Sequence, residues 1–318
     1  MDGRRIRFGV IILRLLLSAA LEHSVIGQVK EASPQPSADP SLVRIAHHLQ
    51  RVHQDEFHNV IPRRVRTLQT RFKHALREFI VEQLNQSEMA NQNLRSIRRA
   101  ILRKLRGLKI FDGFKEYGPN YTYGHVLDVS IESVPRHVDL LAIQLIIDAD
   151  WDEDESLYLV QWQGTTWVNI LAAEVNNYAL VSYAQSSRFN YGVSPPAEGG
   201  SWFLVTSSVN AHRASAWQHV TYTAWTPGPD ANHPRILVRR TNGIYLAGSG
   251  DESHACQIKT TVAGFRVSFN IAWDTGGEDL RLIDEYSVTN GAAKRIALRC
   301  RTRNILGQSV SCDPRNDP

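Results

Sequence analysis

Between Pro40 and Gly107, apolar residues recur at steps of three and four. Leu42, Ile45, Ala46, Leu49 and Val52 share one face of a first segment, which Pro62 limits. Val65, Leu68, Phe72, Leu76, Phe79 and Ile80 share a face of a second, and Leu94, Ile97, Ile101 and Leu105 of a third. This spacing predicts three amphipathic helices, because 3.6 residues per turn stack such positions on one side. Asp39 can cap the first with Pro40 in its opening turn, Ser87 can cap the third, and Gly107 ends it.

From about Tyr121 the period shortens to two and stays there to about Arg303. HVLDVSIESV, DLLAIQLIIDA, LYLVQWQ, TWVNILA, YALVSYA, SWFLVTSS, HVTYTAWT, RILVRR, GIYLA, FRVSFNIAW and RIALRCR each read as a strand. Asn242-Gly243 and Asn290-Gly291 accept positive φ and predict tight hairpins. The expected fold is segregated α+β: a helical module over 41–109, an antiparallel β-sandwich or open barrel over 121–303, and a C-terminal hairpin or tail over 304–318. SSRFNYGVSPPAEGG, residues 186–200, is the longest interruption and a candidate functional loop.

Charge divides the chain. Ser41 to Lys109 carries fifteen Lys or Arg against five acids, a net of +10, whereas Ile110 to Val160 carries two against eleven, a net of −9. The whole chain of 318 residues is only mildly basic, at +4. Basic helices could neutralise phosphates, but the charges are spread around them and an acidic β-region follows, so complementarity within the protein or with a partner protein is expected and nucleic acid is not.

Residues 1–27 read as an export signal: Arg4, Arg5 and Arg7, then VIILRLLLSAAL, then Val25-Ile26-Gly27 before Gln28. Arg14 interrupts the apolar stretch and leaves an amphipathic helix or a misplaced start as alternatives. The uncharged runs beside it fall far short of the roughly 20 residues that span a bilayer, so no membrane span is expected in the mature chain. Residues 28–40, with EASPQPSADP, form a flexible lead. Cys300 and Cys312 flank Leu306 symmetrically, so a hairpin there would set them opposite each other as a disulfide and leave Cys256 as the free thiol. Three unrelated half-buried cysteines are the alternative.

ALREFI, LYLVQWQGTTWVNI, WQHVTYTAW, RILVRRTNGIYLAGSGDE and GFRVSF are similar to segments of a family of uncharacterised secreted bacterial proteins, over roughly residues 65–300. The resemblance implies a helical lead before an antiparallel β-domain, and no activity, cofactor or site residue.

DADWDEDES, residues 148–156, is the most suggestive chemistry. Asp148, Asp150, Asp152 and Asp154 alternate, yet a helix-loop-helix calcium register fails: starting at Asp148, the sixth and twelfth residues are Glu153 and Leu159 instead of Gly and Glu. A looser metal site is the weaker alternative to a solvated hairpin tip. In the tip reading, exchange of Asp152 and Asp154 for Asn shifts stability by less than about 0.5 kcal/mol. In WQHVTYTAW, Trp217, His219 and Trp225 share one strand face and could stack on a sugar ring; aromatic packing between two sheets is the bland alternative. The chain has no G-x-S-x-G, H-E-x-x-H, C-x-x-C or P-loop motif, and no cofactor is expected. These features describe an exported, non-enzymatic binding or interaction protein of the cell envelope, its partner a protein or carbohydrate there. A hydrolase of envelope or extracellular carbohydrate is the alternative.

Overall fold

A computed structural model of the chain describes residues 40–52, 62–86, 93–113, 123–149, 152–174, 189–210, 217–245, 256–272, 279–303 and 309–311. Helix α1 is Pro40–Leu49, α2 is Arg63–Gln86 and α3 is Leu94–Gly107. Their apolar stripes are the buried ones: Leu42, Ala46 and Leu49; Val65, Phe72, Leu76, Phe79 and Ile80; Ile97, Ile101 and Leu105. Helix α3 starts later than its sequence signal, since Asn93, not Ser87, caps it by accepting from the Arg95 amide; Ser87 lies outside the described residues. None of the described helices is long and apolar enough to cross a membrane.

Antiparallel strands follow in three sheets. The first holds β1 (Val126–Ser133), β2 (Leu140–Ala149), β3 (Asp152–Gln163) and β4 (Thr166–Glu174) in chain order. The second holds β5 (Phe189–Val193), β6 (Leu204–Asn210), β7 (Trp217–Thr226) and β8 (Arg235–Tyr245). The third holds β9 (Cys256–Thr261), β10 (Gly264–Ala272), β11 (Asp279–Thr289), β12 (Ala292–Arg303) and β13 (Ser309–Ser311). Asn290 and Gly291 turn β11 into β12 with φ of 52° and 67°, the left-handed pair of a type I′ hairpin.

Three readings of the strands change. Asn242-Gly243 makes no turn, because β8 runs straight through it, paired with β7 from Thr226↔Arg235 to Trp217↔Tyr245. The partner strand supplies more hydrogen bonds than a local turn would. Residues 186–200 are not one irregular loop, since Phe189 to Val193 pair with β6. CQIKTT, too polar to stand out alone, is a strand because β10 offers it a ladder. The predicted strand YALVSYA lies outside the described residues.

The sheets stack instead of closing into a barrel. Leu141, Ile143, Leu145 and Ile147 of β2 face the helices and join their core, while Leu140 and Ala142, with Leu157, Leu159 and Leu171, pack from the opposite face against Leu204, Val193, Trp202 and Trp225. The second sheet then turns Phe203, Val205, Val220, Tyr222 and Ala224 toward Phe265, Val267, Phe269 and Tyr286 of the third. The order is helices, sheet, sheet, sheet. Two-sided burial explains why LLAIQLII alternates so little.

Gly124 lets α1 approach the start of the first sheet. Its φ is +85°, and a Cβ there would lie 2.6 Å from the Ala46 carbonyl oxygen and 2.9 Å from Leu49 Cβ. Gly124→Ala should therefore lower unfolding free energy by about 2 kcal/mol or more, read as an earlier denaturant midpoint. Between the second and third sheets, Asp284 accepts from Tyr222, from Tyr286 at 3.2 Å and from Arg295 at 2.8 Å. Burial, then the Asp284 hydrogen bond, pushes the Tyr222 phenol far above its ordinary 10.0. The unfolded phenol ionises above pH 10 and the folded one does not, so stability present below pH 10 falls as pH rises, by about 1.4 kcal/mol per pH unit from this group. Alkaline denaturant titrations should show Tyr222→Phe flattening that slope by one proton.

Candidate functional site

The acidic stretch at 148–156 does form a hairpin, between β2 and β3, but its carboxylates do not all face water. Asp154 is 4 % exposed and Asp148 6 %. The ladder pairs Asp154 with Ile147, so Asp154 shares the face that Ile147 turns to the helices. Asp148, one residue on, belongs to the opposite face. Carboxylates on opposite faces cannot converge on one cation, and no metal-holding cluster of His, Cys, Asp or Glu is found among the described residues. Asp150 lies outside them, as does the Asp152 side chain.

Asp154 instead meets Lys73 of α2, whose ammonium sits 2.9 Å from Oδ2 with no solvent exposure. Glu174 of β4 places Oε2 3.9 Å from the same nitrogen. The Tyr158 hydroxyl donates to Glu174 Oε1 at 2.9 Å, and His74 Nε2 lies 3.7 Å from Oε2. Burial pushes the Asp154 carboxyl up against the opposing pull of Lys73. Burial acts downward on Lys73, yet Asp154 and Glu174 outweigh it and hold the ammonium above its usual value. Arg98 of α3 lies 2.5 Å from Asp128 of β1, so Lys73 and Arg98 both bring charge from the basic helices to the acidic first sheet.

Trp225 is half-buried in the layer between the first and second sheets, and its Nε1 donates to Thr206 Oγ1 at 2.9 Å. Its neighbours Tyr222 and Ala224 pack toward the third sheet. Trp217 and His219 are aligned on β7 opposite Tyr245 and Gly243, and their side chains lie outside the described residues. At Trp225, packing between sheets is what the aromatic does. Cys256 is a buried free thiol that burial pushes up to about 11. β12 and β13 pair Arg301 with Ser311; Cys312 and the Cys300 side chain, of the expected disulfide, lie outside the described residues.

The surface with recognition chemistry is the outer face of the third sheet. Phe265, Val267 and Phe269 of β10 point into the core, so alternation sends Arg266 and Ser268 outward. The ladders set Lys259 beside Arg266, Arg266 beside Glu285, and Ile283 beside Arg299. Together with Arg281 these side chains line an open depression of about 220 Å³. Arg266 reaches Glu285 at 2.5 Å and Arg299 reaches it at 3.5 Å, with the two guanidinium side chains 51 % and 62 % exposed. Arg281 crosses the floor, donating to Gln257 Oε1 at 2.7 Å and Ser268 Oγ at 2.9 Å. Four cations thus surround one carboxylate. Glycoside hydrolysis uses two acids flanking the bond, and this lining carries one.

Basic residues on the helices drew attention in the sequence, and these did not. The signal was there at period two, in QIKTT, FRVSF, LRLIDE and RIALRC, where the outward places are polar or charged apart from Ile283 and Ala297. No family model matches the chain, and no curated protein matches it either.

Removal of the Asp154 carboxylate takes the nearest counter-charge from the buried Lys73 ammonium. Asp154→Ala should cost about 3–5 kcal/mol, as loss of one partner of a buried pair does. Urea unfolding of the variant measures it, and a cost near the 0.5 kcal/mol level of surface exchanges would contradict this placement.

Proposed function

We propose that this protein is an exported, non-enzymatic interaction protein of the cell envelope that holds an acidic polysaccharide on the outer face of its third sheet. The observation that carries the reading is the excess of cations around the depression: Lys259, Arg266, Arg281 and Arg299 against Glu285. Guanidinium groups suit carboxylates, and Glu285 between Arg266 and Arg299 is reached by one nitrogen of each. Guanidinium, ammonium, hydroxyl and one isoleucine read charge and hydroxyls; they offer no ring on which bases stack. Export is supported by the basic start, apolar stretch and V-x-G of residues 1–27.

Polygalacturonate immobilised on a surface is the direct probe, with dextran as its neutral counterpart. Binding should be seen to the first and not the second, and should weaken steadily with salt, since exposed charges are screened. Arg281→Glu together with Arg299→Glu should weaken it by about tenfold or more, because each exposed ion pair is worth up to about 1 kcal/mol and reversal makes it repulsive. Equal binding to dextran, or stronger binding to duplex DNA or to phosphatidylserine vesicles, would overturn the choice of partner.

A further inference from the structure

Lys73 lies at the middle of α2 with no solvent exposure, its Nζ 2.9 Å from Asp154 Oδ2 and 3.9 Å from Glu174 Oε2. Among the described residues Lys73 is the partner found for the Asp154 carboxylate, so no array of N–H donors holds it as an anion. Leu76, Ile147, Val160 and Ala172 belong to the apolar cluster around this interface. An ammonium and a carboxylate are each costly to hold in such surroundings, and an amide in their place carries no charge. In water the ions are favoured because water solvates them. Burial removes that advantage, and a site without bulk water also favours the side of the equilibrium that releases water.

We propose that Lys73 and Asp154 condense into an intramolecular isopeptide bond, with Glu174 relaying the protons. Nζ lies 2.9 Å from Oδ2, which holds it beside the Cγ that it would attack. Of the three protons on the ammonium, Glu174 passes two in turn to the departing Asp154 oxygen, one before Nζ attacks Cγ and one as the Cγ–O bond breaks. The third stays on the amide nitrogen. The Nζ–Cγ bond forms, one Cγ–O bond breaks, that oxygen leaves as water, and Glu174 ends ionised as it began. No oxidant, reductant or cofactor enters the balance.

The surrounding groups suit each part. Asp154, pushed up by burial, is drawn toward the protonated acid, the form an amine can attack. Lys73 is held as the ammonium by the two carboxylates, so it needs a base, and Glu174 Oε2 at 3.9 Å is the carboxylate that would close on it as the site tightens. The Tyr158 hydroxyl fixes Oε1 of Glu174 and leaves Oε2 toward Lys73. His74, 41 % exposed and 3.7 Å from Oε2, gives the relay a way to solvent. Arg77, 5.7 Å over the Tyr158 ring, covers the site from α2. The bond would staple the helical layer to the first sheet across about 80 residues of chain, a constraint of the kind a disulfide supplies.

The experiment is a tryptic peptide map of the purified full chain, denatured and reduced. The expected result is a branched peptide joining the segments around Lys73 and Asp154, lighter by one water than the two together, with no cleavage after Lys73. Separate peptides with cleavage after Lys73 would overturn the proposal, and this outcome needs no variant. Glu174→Gln should give the unlinked peptides while keeping the far-ultraviolet circular dichroism of the parent; a fully linked Glu174→Gln chain would overturn the relay role. Where that variant fails to fold, the map of the parent chain alone decides.

Discussion

The central part of the first sheet has no face to give to water. Helices cover one side and the second sheet covers the other, so β2 must be apolar on both, and LLAIQLII is. A strand of that kind cannot form an edge or an outer layer without exposing a broad apolar surface. Its burial forces everything else into a stack of four layers, one more than the two or three common in single domains. The helical lead is a structural cover for this sheet.

Each seam in the stack carries a polar tie as well as an apolar one. Between helices and first sheet it is Lys73 with Asp154 and Glu174. Between the first and second sheets, the Glu155 carboxylate accepts from Gln144 at 3.0 Å and from the Phe189 amide at 2.8 Å. Between the second and third it is Asp284 with Tyr222, Tyr286 and Arg295. Apolar faces can slide over one another at small cost. A buried charge with directional partners cannot, because a shift leaves it unsatisfied. Polar ties of this sort select one alignment of layers that are otherwise similar.

The third sheet is different because its outer face meets solvent. Its core face is aromatic, with Phe265 stacked on Tyr286 at 4.8 Å between ring centroids, and its outer face is cationic. The layer whose outer face meets solvent is thus also the one with the cation-lined depression. Among the basic residues of the helices, Lys73 and Arg98 pair with the acidic first sheet.

Helices α1 and α2, most strands and the Asn290-Gly291 turn were legible along the chain, because periodicity and turn chemistry are local and each follows from the geometry of one element. Asn242-Gly243 misleads for the same reason: its local preference is real, and a partner strand across β7 overrides it. Alternating acids at 148–156 signalled a hairpin correctly, but whether a carboxylate at its tip meets water depends on what lies above it. Lys73 comes from α2, far away in sequence, and no pattern near Asp154 announces it. The cations of the third sheet could be found singly at period two, while their gathering needed the ladders of β9 to β12. What the chain determined by itself was the kind of each element and its apolar face. Which face met a helix, a sheet or water was decided only by the stack, because burial belongs to surfaces in contact and a single strand has no partner until the layers assemble.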